Sequence, residues 1–242
     1  MGSLPESLQK IIQKFQTDIN SLFGDHVASV IAYGSAATEE YVHKKSDINI
    51  LVVLDEEGIQ NLQPAQNMIG GWRKQGLRPL FLTEEYIERS LDSFPIEFLN
   101  MKTTYHVIRG KDVLQSLTFD LKDLRLQCER ELKGNLLHLR QRFIATEGKK
   151  NELMALIKES IVAFTSIFRA LLFLKSRSIP ENKQDTLLET CKVFELDVAL
   201  FSRLISIRKG TDKPSQNELK NLVDTYIRQI RLLSQYVDAM EL

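Results

Sequence analysis

The 242-residue sequence predicts an α/β (α+β) domain built on a mixed sheet, followed by an all-α helical bundle. Two patterns predict that order. Up to about Leu117, short runs rich in Val, Ile and Leu alternate with amphipathic stretches, whereas beyond it apolar residues recur every three or four positions along charged segments. The 43% hydrophobic content is enough to fill a core in each half, and the change of texture places the boundary between residues 1–118 and 119–242.

The first predicted element is a helix from Pro5 to about Phe23, because Leu8, Ile11, Ile12, Phe15 and Ile19 share helical spacing. Pro5 suits its first turn and Gly24 its end. Strands follow at His26 to Tyr33 and at Ser46 to Leu54, the second buried on both faces by its nearly unbroken apolar run. Glu56 to Gln75 holds Pro64 and Gly70-Gly71, which predicts two helical pieces or one helix with an irregular end. Arg78 to Thr83 reads as a strand, and Glu84 to Ser93 as a helix capped by Thr83. Pro95 to Lys102 reads as another strand, and Tyr105 to Arg109 leads to a turn at Gly110.

In the second half Leu121, Leu124, Cys128, Leu132, Leu136, Leu139 and Phe143 mark one long helix, and a second runs from about Asn151 to Ser176. Turns at Ile179-Pro180 and from Gly210 to Pro214 bring the expected total to about five helices. Phe164, Phe168, Leu171 and Leu172 form a stripe suited to a bundle core, as do Phe194, Phe201 and Leu204.

Charge narrows the function classes. The 32 basic and 32 acidic residues cancel, so no net field draws in nucleic acid or an anionic membrane, and nucleic acid is not an expected partner. No apolar run reaches the roughly 20 residues needed to span a bilayer, and Met1-Gly2-Ser3 fails as a myristoylation start because position 6 is Glu6. Cys128 and Cys191 lie far apart among helical signals, which argues for two reduced core thiols and a cytoplasmic setting.

The chemistry is concentrated where a strand ends in Tyr33-Gly34-Ser35 and, eleven residues on, Ser46-Asp47-Ile48-Asn49 opens the next. A tight Gly-Ser turn offers backbone N–H groups and a hydroxyl to phosphate oxygens. Alternate strand residues share a face, so Asp47 and Asn49 can present oxygens to Mg²⁺ together. This arrangement resembles the polymerase-beta-like nucleotidyltransferase superfamily, including the kanamycin nucleotidyltransferase-like pattern of such a domain followed by helices. Its hallmark is Gly-Ser, a spacer, then Asp-x-Asp or Asp-x-Glu.

The resemblance implies that Gly34 and Ser35 bind nucleotide phosphate, that Asp47 binds metal, and that Asn49 stands where a second metal-binding carboxylate is expected. It also implies Mg²⁺ as cofactor, held at a site weakened by the lost charge. The third ligand, and the catalytic partner of Asp47, is expected at Glu97, with Asn100 as the competing strand register on the opposite face. Two classes of function follow: transfer of a nucleotidyl group from a Mg²⁺-bound nucleoside triphosphate to a small-molecule or protein hydroxyl, or a non-catalytic nucleotide-binding or protein-interaction module retaining the fold. The helical half is the expected surface for any oligomer.

Other candidates have plainer readings. His43, Lys44 and Lys45 read first as a solvated loop, and His26, His106 and His138 as structural. Arg125, Arg130, Lys133, Arg140, Arg142 and Arg169 read mainly as partners of neighbouring acids, and Trp72 as packing on the sheet rather than stacking on a base.

Overall fold

The structure, a computed structural model, describes residues 6–38, 41–43 and 46–241, with side chains from Leu8 onward. Pro5, Met1-Gly2-Ser3 and the Lys44-Lys45 pair lie outside the described residues. The chain divides into two compact units, Met1–Phe119 and Asp120–Leu242.

The first unit opens with α1 (Glu6–Phe23), whose Leu8, Ile12, Phe15 and Ile19 are all buried, as their spacing requires. Strands β1 (Val27–Tyr33) and β2 (Ile48–Leu54) pair antiparallel. The predicted pieces between β2 and the next strand are α2 (Glu56–Gln60), a single 3₁₀ turn at Gln63–Ala65, and α3 (Gln66–Lys74). Strand β3 (Leu77–Thr83) then pairs parallel with β2, and Thr83 caps α4 (Glu84–Arg89) by accepting from the Tyr86 N–H at 3.1 Å.

Pro95–Thr103 is not a strand. It is α5, with Pro95 in its first turn and Pro95, Ile96, Phe98, Leu99 and Met101 buried. A proline in a first helical turn forfeits only an N–H that has no intrahelical partner, and an acidic Glu97 beside it suits the positive end of the helix. The strand that does form is β4 (Tyr105–Gly110), antiparallel to β1, which completes a mixed sheet of order β3-β2-β1-β4. Gly110 has φ +84°, and a Cβ there would come within 2.1 Å of the Ala28 carbonyl oxygen, so only glycine fits at this join.

The two sheet faces carry separate cores. One joins Val30, Ala32, Ile50 and Val52 to α1 and to Trp72 of α3; the other joins Ile31, Leu51 and Val53 to Phe98 and Met101 of α5. Trp72 is 2% exposed, meets the Phe15 ring edge-on at 5.0 Å and donates Nε1–H to Asp18, so it packs on the sheet as expected.

The second unit consists, among the described residues, of α6 (Leu121–Ala145), α7 (Lys150–Leu174), α8 (Lys183–Val193), α9 (Val198–Lys209) and α10 (Gln216–Asp238). Four buried rings from three helices interlock: Phe164 and Phe168 of α7, Phe201 of α9 and Tyr226 of α10, with centroids 5.7 to 6.4 Å apart around the cycle. Cys128 and Cys191 are free and buried, and burial pushes the Cys191 thiol up to about 12, so neither is a reactive thiolate. No helix among the described residues is long and apolar enough to cross a membrane.

Candidate functional site

Sheet register assembles the site. Asn49 of β2 pairs with Tyr33 of β1 on one side and Arg78 of β3 on the other, and Tyr33 pairs in turn with Tyr105 of β4. Directly paired residues share a face, so Arg78, Asn49, Tyr33 and Tyr105 form one polar row across four strands. Asp47 lies just ahead of β2, two residues before Asn49.

The row is closed at one side by the Gly34 turn. Gly34 has φ +67°, and a Cβ on it would lie 3.6 Å from Asn49 Nδ2, so the asparagine amide rests directly against this turn. The Gly34 N–H donates to the Thr104 carbonyl at 2.9 Å and is therefore taken. Gly34–Ala37 forms a single 3₁₀ turn in which the Ser35 carbonyl accepts from both the N–H and the hydroxyl of Thr38 at 3.2 Å. The Ser35 hydroxyl makes no hydrogen bond to another described residue, which leaves it available to a ligand.

At the other side, Arg78 Nη2 lies 3.1 Å from Asp47 Oδ1, with the two side chains 47% and 57% exposed. This is the residue that sequence reasoning missed. Arg78 is unremarkable in the linear order, and only the parallel β2–β3 pairing sets it opposite Asn49. Tyr105 donates its hydroxyl to Asp112 at 2.9 Å, and burial together with that carboxylate pushes its phenol up to about 12. Burial raises the Tyr33 phenol as well, so both tyrosines are neutral hydrogen-bonding groups at physiological pH.

Glu97 and Asn100 stand on α5 rather than on a strand, so they are one helical turn apart and not on opposite faces. Glu97 is exposed in the first turn, while Asn100 is half-buried and donates Nδ2–H to the Ile96 carbonyl at 2.7 Å. No strand register carries either one toward Asp47.

The donor set suits a two-metal site poorly. Such a site needs a carboxylate to bridge the ions. The residue beside Asp47 on β2 is the neutral Asn49, and Asp47 itself already holds a guanidinium. Among the described residues, no three His, Cys, Asp or Glu side chains come together. These residues do not fit a pair of divalent ions, although nucleotidyltransferases generally use a divalent metal.

A mixed four-stranded sheet with a Gly-Ser turn against its second strand, followed by a helical unit, defines the polymerase-beta-like nucleotidyltransferase fold. Residues 12–106 match the family described as nucleotidyltransferase domain, which supports that superfamily for the N-terminal unit. Among solved structures, spectinomycin adenyltransferase AAD(9) from Enterococcus faecialis, determined with ATP and spectinomycin, aligns with 92% of this chain and 98% of its own. The TM-score is 0.53 and the identity 12%, a likeness of fold alone. No curated protein matches the chain.

Proposed function

We propose that the N-terminal unit binds the phosphate chain of a nucleoside triphosphate beside the Gly34-Ser35 turn and holds it without two-metal nucleotidyl transfer. The observation that carries this reading is the Arg78–Asp47 ion pair next to Asn49. A pair of carboxylates on β2 would repel phosphate unless divalent ions intervened. Here the local charges of Asp47 and Arg78 cancel, and the guanidinium can turn from Asp47 to a phosphate, for which its planar fork is well suited. Ser35 supplies a hydroxyl, while the Gly34 N–H at the head of the turn is spent on the Thr104 carbonyl and contributes nothing. Gly34 keeps the wall low enough for a ligand to approach.

Calorimetric titration of ATP, GTP, CTP and UTP, each with and without Mg²⁺, tests the reading. Binding is expected without metal, weakened about tenfold in Arg78→Ala and maintained in Asp47→Ala, which removes an anion and frees the guanidinium. Binding that requires Mg²⁺ and vanishes in Asp47→Ala would overturn it.

The match of residues 12–106 to the nucleotidyltransferase domain favours a second reading, transfer of a nucleotidyl group to a small-molecule or protein hydroxyl at reduced rate. ATP and a small hydroxylated acceptor are the first pair to try, since the AAD(9) structure holds ATP and spectinomycin. Turnover of labelled nucleotide that Asp47→Ala abolishes would establish transfer; an equal rate in that variant would discard it. The helical unit remains the proposed oligomer surface: Leu126, Leu137 and Ile144 are exposed on α6 at spacings that align them. Sedimentation of Ile144→Glu beside the wild type checks that, and two identical monomers would refute it.

A further inference from the structure

The first unit holds a second concavity, at the opposite end of β2 and β3 from Asp47. Its volume is about 520 Å³, within the range of small-molecule sites. Ile59 of α2, Leu62, Phe81 and Leu82 of β3, and Tyr86 of α4 supply an apolar wall, with Thr83 at the strand end. Phe81 and Leu82 pair with Val52 and Val53, three and four residues along β2 from Asn49, which at about 3.3 Å per residue puts the cavity roughly 10–13 Å along the sheet from the polar row. It opens at β3, an edge strand, so among the described residues no further strand covers it in the sheet.

Charge at the rim is one-sided. Glu85 is balanced by Arg89 at 3.0 Å. Glu56 lines the same cavity and has no ion-pair partner among the described residues. Arg89 is the only cation in the lining, so the three charges leave one net negative. The neighbouring acid Glu84 is held by Lys111 and adds no free cation. An occupant that fills the apolar wall and satisfies Glu56 needs a hydrophobic body and one positive group.

We propose that this cavity is a binding site for a small cationic amphiphile, an ammonium carried on an aromatic or alicyclic body, with Glu56 as counter-ion and Ile59, Leu62, Phe81 and Tyr86 as the apolar wall. The site stands apart from the nucleotide reading and shares no residue with it. The chain carries its own reporter. Its single tryptophan, Trp72, lies 6.5 Å from the Phe81 ring, so a ligand that shifts Phe81 alters the environment of the only indole.

The experiment titrates phenethylammonium, phenethyl alcohol and phenylacetate into the full chain, read by Trp72 emission and by calorimetry. The ammonium is expected to bind tightest, the alcohol a few-fold weaker and the carboxylate weakest. Glu56→Gln should close the gap between ammonium and alcohol while leaving the alcohol unchanged. Tyr86→Ala, at a side chain already 48% exposed and so safe for folding, should weaken all three about tenfold. ATP binding should be the same in both variants. The proposal falls if no probe gives a saturable response in the wild type. It falls equally if phenylacetate binds as well as phenethylammonium, or if both substitutions leave every affinity where it was.

Discussion

The two units use charged side chains differently. In the helical unit, charges hold helix ends and seams. Glu129 of α6, only 16% exposed, accepts from Arg125 at 2.9 Å and Lys133 at 2.5 Å, while Lys133 also reaches Asp238 and Arg125 the Val237 carbonyl of α10. Ser215 and Glu218 form a reciprocal capping box at the start of α10, and Arg203 of α9 bridges Glu218 and Asp212. In the sheet unit, the Asp47–Arg78 pair ties the start of β2 to β3 and stands about half-exposed, with Arg78 Nη1 donating to the Leu77 carbonyl at 3.2 Å. The bundle's charges span helix ends and neighbouring helices, whereas Arg78 spends one nitrogen on the adjacent Leu77 carbonyl and leaves the other on an exposed carboxylate that a ligand can displace.

The largest effect that sharpens this contrast comes from the bundle core. Phe168 is fully buried between Phe164 and Phe201, so Phe168→Ala should destabilise the helical unit by about 3–5 kcal/mol. Chemical denaturation should show that loss with nucleotide affinity unchanged at low denaturant. A matching loss of affinity would mean that the polar row depends on the bundle.

The capping box should act next. Ser215→Ala removes the acceptor for the Glu218 N–H and should cost about 1 kcal/mol in thermal or urea unfolding. The same feature sets an acid limb. The Ser215 N–H and hydroxyl, with Arg203, hold the Glu218 carboxyl down at about 2. A carboxyl depressed in the folded state contributes stability that is complete above its unfolded value near 4.5 and is lost as pH falls from there toward 2. Glu218→Gln should therefore flatten the stability profile between those values, as followed by circular dichroism at 222 nm, the usual helix signal. An unchanged slope would assign acid unfolding to other carboxylates.

Most of this contrast was legible in the sequence, though not its decisive pair. Helical periodicity reports which face is buried, so the spacing of Leu124, Leu132, Leu139, Phe164, Phe168 and Leu204 alone marks the bundle core. The β-branched runs likewise located β1 and β2. The reading of Pro95 to Lys102 failed because a short apolar run has no distinctive period, and the helix signals in it, Pro95 and Glu97 in a first turn, were outweighed by the apolar residues. Glu97 therefore stands in the first turn of a helix rather than on a strand. Arg78 was invisible for another reason: the partner of Asp47 is set by parallel strand register across more than twenty residues, and no local pattern encodes that register.

The smallest expected effect on the fold falls on that pair and is the most informative. Asp47 and Arg78 are each about half-exposed, so water screens them and their mutual attraction should contribute no more than about 0.5 kcal/mol. Arg78→Ala should therefore leave the unfolding midpoint nearly where it was. If the guanidinium serves a phosphate, the same substitution should reduce nucleotide binding about tenfold, and the effect should fade as salt rises. Arg78→Lys separates charge from shape: an ammonium keeps the attraction but not the two-pronged donor geometry, so it should recover only part of the loss. Unchanged binding in Arg78→Ala together with a clear drop in stability would reverse the contrast and make the pair a structural one, like those of the bundle.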